Sequence, residues 1–154
     1  MSSILPLPPA VVGEFVGRAH NDLARVTELL NAYPTVIHAS FDWGNGDFES
    51  AIGAAAHSGR RDIVEFLLSR GARMDIFAAA FLGRIGLVKS FLHETPGALH
   101  QGGPHGISLL DHAKKGGNPE MVAYLRHLIE PEKARVKAKP KVAKPVKAKR
   151  RKAA

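Results

Sequence analysis

Apolar and polar positions along this chain recur in short blocks with a helical period. Between residues 54 and 72, in AAAHSGRRDIVEFLLSRGA, three alanines run into a glycine, charged residues follow, and Ile63, Val64, Leu67 and Leu68 then mark one helix face. The block returns at once. SAIGAAAHSGRRDIVEFLL (50–68) and MDIFAAAFLGRIGLVKSFL (74–92) agree in residue type at an offset of 24, with Leu87, Val88, Phe91 and Leu92 repeating the apolar spacing. SLLDHAKKGGNPEMVAYLR (108–126) keeps Leu110, Ala113, Gly117, Met121, Val122 and Leu125 in place, and VGEFVGRAHNDLARVTELL (12–30) keeps Val26, Leu29 and Leu30. Four copies of one unit imply a core that each copy closes against its neighbours.

Each copy reads as two short antiparallel helices. In the first helix Ala55 and Ala56, and then Ala79 and Ala80, are strong helix formers small enough for close backbone approach. Gly59, Gly83 and Gly117 supply the left-handed residue that commonly ends a helix, and Gly71 closes the second helix of the 50–72 copy. In the last copy Asn118, Pro119 and Glu120 mark the start of the second helix: a cap, a proline at the first helical position, and an acid beside the positive helix end.

These residues resemble the ankyrin repeat, whose first helix carries T-P-L-H-x-A ahead of a glycine turn and a second helix. SAIGAA and SLLDHA are degenerate versions, with Gly53, Phe77 and Asp111 at the histidine position, and GRRDIVEFLLSRGA is similar to the second half of the unit. The resemblance spans about residues 14–130 and implies an all-α, ankyrin-like helical solenoid of about four helix pairs that holds a protein partner on its concave side. The copies begin 38, 24 and 34 residues apart, against a family period of about 33. Long loops or hairpin fingers therefore fit after copies one and three but not between two and three. The two longer linkers echo each other, YPTVIHA (33–39) aligning with TPGALHQ (95–101).

Charge divides the chain. Residues 131–154, PEKARVKAKPKVAKPVKAKRRKAA, hold eleven of the 22 Lys and Arg and one of the 14 acids, leaving eleven bases against thirteen acids elsewhere. Three regions follow: an N-terminal arm (1–13), the repeat region (14–130) and a disordered Lys/Ala/Pro-rich basic tail (131–154). The tail composition is similar to linker-histone tails. Its cations, among them Lys137, Lys139, Lys141, Lys144, Lys147, Lys149, Arg150, Arg151 and Lys152, are expected to bind nucleic acid non-specifically through counterion release. The tail has no aromatic residue with which to stack on single-stranded bases.

The remaining chemistry is sparse. There is no cysteine, which removes disulfides and thiolate sites and suits the cytoplasm, with a nucleoid association or, in a eukaryote, nuclear import through KAKRRK as the variants. MSSILPLPPAVVG lacks a charged start and is broken by prolines, so no secretory signal is expected, and no run reaches the ~18 apolar residues of a membrane span. PLPP (6–9) fits a proline-helix ligand only weakly; an arm capping the first copy through Ile4 and Leu7 is the better reading. No nucleophile elbow, phosphate loop or HExxH spacing is present, so neither enzyme activity nor a cofactor or metal is expected. The alternative is a small metal- or histidine-dependent enzyme built on the 93–112 loop, with His93, Glu94, His100, His105, Asp111 and His112.

For partner binding the informative stretch is SFDWGNGDFES (40–50), where the only tryptophan sits beside a Gly-Asn-Gly turn. Phe41 and Trp43 either project from its tip as anchors or Trp43 folds back to cover the exposed end of the second copy's first helix. Asn45, Asp47, His57, Phe81, Gln101, His105 and Lys115 complete the surface expected to line the concave side of a monomer.

Overall fold

A computed structural model describes residues 6–138, with side chains placed to residue 131. It contains four consecutive helix pairs: α1 (Pro9–Arg18) with α2 (Leu23–Ala32), α3 (Ala51–Ser58) with α4 (Arg61–Ser69), α5 (Ile76–Phe81) with α6 (Ile85–Glu94), and α7 (Leu109–Lys115) with α8 (Pro119–Ala138). The members of each pair pack on one another, and α1, α3, α5 and α7 pack in sequence, as the repeated apolar pattern requires. The short α5 also lets α3 touch α7 directly.

Three of the four first helices, α3, α5 and α7, start alike. Ser50, Asp75 and Ser108 each accept a hydrogen bond from the backbone N–H three residues on, at 3.2, 2.7 and 3.1 Å, satisfying a donor that the helix start would otherwise orphan. Gly59, Gly71, Gly83 and Gly117 all have positive φ, as expected at the helix ends. Gly116 is constrained differently: a Cβ there would meet the carbonyl oxygen of Phe81 at 1.8 Å, so α7 ends in backbone contact with α5.

Ile63, Val64 and Leu67 are fully buried, and Val88 and Leu92 are buried too. Leu87 and Phe91 are not; they are 56% and 47% exposed. The i and i+4 positions of α6, Leu87 and Phe91, therefore lie outside the stripe that the repeat pattern assigned them to. Polar contacts tie copies together where the alanine stripe cannot: Arg60 donates to the Asn21 carbonyl, Arg70 to Asn31 at 3.1 Å, and the Asn118 amide to the Phe81 carbonyl at 2.6 Å.

α1 begins at Pro9, inside the stretch read as an arm, with Pro9 in the first helical turn and Leu7 packed on the core; Ile4 lies outside the described residues. At the other end α8 runs through Pro131, where the tail was expected to begin, and reaches Ala138. No helix among the described residues is long and apolar enough to cross a membrane.

The two long linkers fall where spacing placed them. Pro34–His38 and Pro96–His100 are both 3-10 turns, entered through Tyr33 (φ −132°, ψ 74°) and Thr95 (φ −133°, ψ 74°). The first continues into a hairpin of β1 (Ser40–Asp42) and β2 (Phe48–Ser50), in which Ser40 pairs with Ser50, Phe41 with Glu49 and Asp42 with Phe48. The second closes through a lone bridge between Gly102 and Ser108 around a 3-10 turn at Pro104–Gly106.

Candidate functional site

The hairpin register decides what faces inward. Side chains alternate across a strand, so Phe41 and Glu49, paired across the ladder, share a face, and Phe48 takes the other. Phe41 lies against Gly13 of α1, where a Cβ would meet its ring at 2.8 Å. Glu49 is carried inward beside it and is 1% exposed, whereas Phe48 is 64% exposed.

A buried carboxylate is costly unless paired, and Glu49 is met from several elements. His57, near the end of α3, places Nε2 at 2.6 Å from Oε1, and the Trp43 indole N–H donates to Oε2 at 2.7 Å. His20, in the turn after α1, brings Nε2 to 3.6 Å from Oε2, and His105, from the second linker, brings Nε2 to 3.5 Å from Oε1. One donor atom from each of His20, Glu49, His57 and His105 lies within 4.8 Å of every other. Burial pushes the Glu49 carboxyl up, but the hydrogen bonds from His57 and Trp43 and the nearby His20 and His57 charges outweigh it and hold it below the usual carboxylate range.

Two of the imidazoles are oriented from behind. The Nδ1 of His20 lies 3.0 Å from the Gly17 carbonyl, which can only accept, so Nδ1 donates there and Nε2 is the nitrogen turned toward Glu49. His105 is held by Asp47, which accepts from its backbone N–H at 2.8 Å and from Nδ1 at 2.6 Å. Those two bonds also keep the Asp47 carboxyl below its ordinary range. His105 itself adopts φ +57°, a left-handed conformation that aims its ring at the hairpin. Below the cluster His112 is fully buried: Nδ1 donates to the Ser108 carbonyl at 2.9 Å, and Nε2 has no hydrogen-bond partner among the described residues. Burial pushes its imidazole down, so it stands neutral 6.5 Å, ring to ring, from His57.

Of the residues read from sequence as partner-binding, Trp43, Asp47, His57 and His105 meet here and Phe41 supports them. Asn45 is exposed at the hairpin tip, and Gln101 and Lys115 are exposed outside the cluster. Phe81 is 1% exposed, with the Arg61 guanidinium 5.4 Å from its ring centre, so it belongs to the core and not to a binding surface. Trp43 folds back, over Gly17 of α1 and edge-on to Phe41 at 4.8 Å, and remains 44% exposed. His93 and Glu94 form an exposed pair at 3.9 Å, and of the histidines between 93 and 112 only His105 joins the four converging donors. Sequence reading passed over Glu49 and His20. A register drawn through the Gly-Asn-Gly turn would have put Glu49 opposite Phe41; nothing local marks His20. Among the tail cations, Lys137 falls in the last turn of α8 without a described side chain, and Lys139, Lys141, Lys144, Lys147, Lys149, Arg150, Arg151 and Lys152 lie outside the described residues.

Residues 49–79, from β2 through α3 and α4 into α5, match the family model of the ankyrin repeat. Over those residues the chain is similar to the ankyrin repeat, which suggests a role in protein–protein interaction. No curated protein and no solved structure matches the chain.

Proposed function

We propose that this chain is a non-enzymatic adaptor: an ankyrin-like stack whose hairpin finger holds a protein partner, joined to a basic tail that tethers the pair to nucleic acid. The observation that carries the first half is the 64% exposure of Phe48 on a hairpin whose opposite face is anchored through Phe41 and Glu49, with Trp43, bonded to Glu49 on that anchored side, still 44% exposed. Large aromatic side chains presented on a braced loop lose little conformational freedom on binding, which is what interface anchors require. The ankyrin match at residues 49–79 supports a protein partner. For the second half, eleven cations within 24 residues support salt-sensitive attachment to a polyanion.

Each half has its own test. With a photo-crosslinking residue at position 48, the full chain should form a discrete adduct with one protein, and Trp43→Ala should abolish it; an unchanged adduct would contradict the finger as the docking element. In gel shifts, removing residues 139–154 should eliminate duplex binding that otherwise weakens with salt by up to about 0.9 log units per phosphate contact and log unit of salt. Binding that survives the truncation would contradict the tether.

A further inference from the structure

We infer that His20, Glu49, His57 and His105 form a binding site for a single divalent late-first-row metal ion, for which zinc is the probe. The donor set points to that class. Imidazole suits zinc, copper, nickel and cobalt, whereas magnesium and calcium select shells of oxygen. Four protein donors with no weak member describe a closed structural site more than an open catalytic one.

Geometry agrees with the donors. Tetrahedral zinc holds nitrogen and oxygen at about 2.0–2.2 Å, which sets neighbouring donors about 3.3–3.5 Å apart. The Glu49 carboxylate already stands near that spacing, with Oε2 3.6 Å from the His20 Nε2 and Oε1 3.5 Å from the His105 Nε2, and one donor atom from each of the four residues lies within 4.8 Å of the others. The His57 contact, 2.6 Å, is a hydrogen bond and must open while the proton on Nε2 moves to Nδ1 or leaves.

Orientation is the more specific observation. Metal-binding histidines generally donate their second N–H to a carbonyl or carboxylate, which fixes the tautomer and aims the free nitrogen. His20 does so to the Gly17 carbonyl and His105 to Asp47, and each turns its free Nε2 toward the same buried carboxylate. A ring nitrogen fixed from behind is thereby turned on Glu49 from each of two separate copies, the arrangement that an ion between them would use. The ion would also join the turn after α1, the first finger, α3 and the second finger, stapling three helix pairs through one point.

The test uses the full chain without an affinity histidine tag, stripped with chelator and titrated with zinc against a chromophoric competitor. One equivalent should bind, and His20→Ala and His105→Ala, which alter partly exposed side chains, should each weaken binding about 10–100-fold. Both variants should melt like the parent in chelator, and His93→Ala, at an 85% exposed position, should bind as the parent does. Cobalt gives a second readout independent of variants: a tetrahedral visible band together with quenching of Trp43, the only tryptophan, which touches Glu49. Absence of stoichiometric zinc binding, or binding unchanged by both substitutions, would overturn the inference, as would a cobalt complex that leaves Trp43 fluorescence intact. None of these outcomes depends on the protein partner or the tail.

Discussion

The segments that follow α2 and α6 enter in the same conformation, down to the dihedral angles of Tyr33 and Thr95, and then diverge. The first becomes a paired hairpin that carries an acid inward; the second makes a tight turn that carries a histidine outward. Their tips meet, with the His105 backbone and ring both bonded to Asp47. The reason lies in the pair between them. Only residues 70–75 separate α4 from α5, so no finger intervenes, and α3 reaches α7 past the six-residue α5. An irregular repeat spacing has thereby placed three histidines from three copies around one carboxylate. Shortening one linker, and not inventing a motif, is what assembles the site.

The largest disruption of this comparison should come from beneath both fingers. Phe81→Ala empties a fully enclosed ring position in α5 and is expected to cost about 3–5 kcal/mol, with Leu67→Ala costing about 2–5 kcal/mol, both measured by chemical denaturation. Either loss would loosen the floor on which the fingers converge. Next in size, zinc at one hundred times its dissociation constant should stabilise the native chain by about 2.7 kcal/mol, read as a rise in Tm, and at the same concentration should stabilise His105→Ala by only about 0.4–1.4 kcal/mol.

The smallest effect concerns His112, under the cluster. Its folded pKa is depressed by burial, so the stability linked to its neutral form is fully present above the unfolded imidazole value of about 6.5 and is lost as pH falls below it toward the folded value. In chelator, the parent should lose stability on that acid side and His112→Phe should show a flatter profile. Equal slopes would mean that the buried ring titrates as it does in the unfolded chain.

Much of the fold was legible because its signals are local. Alanine runs, glycines with positive φ and the aligned linkers each reside within a few residues, and all three mark real boundaries. The copy spacing even located the fingers. Leu87 and Phe91 misled because an apolar residue beside a stripe reads the same whether the neighbouring copy covers it or not. The site was less legible because it depends on register and on distance. Glu49 looks like a surface acid until the hairpin pairs it with Phe41, and His20 and His57 come from separate copies. Grouping His93, His100, His105 and His112 by nearness in sequence selected one of the converging donors and missed the others, since α6 leaves His93 exposed and α7 buries His112 outside the four.

The contact between the two fingers is the feature from which the site follows, and amide hydrogen exchange at His105 measures it directly. In the parent chain the His105 amide, bonded to Asp47, should exchange slowly, and Asp47→Ala should accelerate it about tenfold or more while leaving the Ala98 and Gln101 amides of the shared 3-10 lead-in unchanged. An exchange rate at His105 that does not respond to Asp47→Ala would contradict the meeting of the fingers and the site built on it.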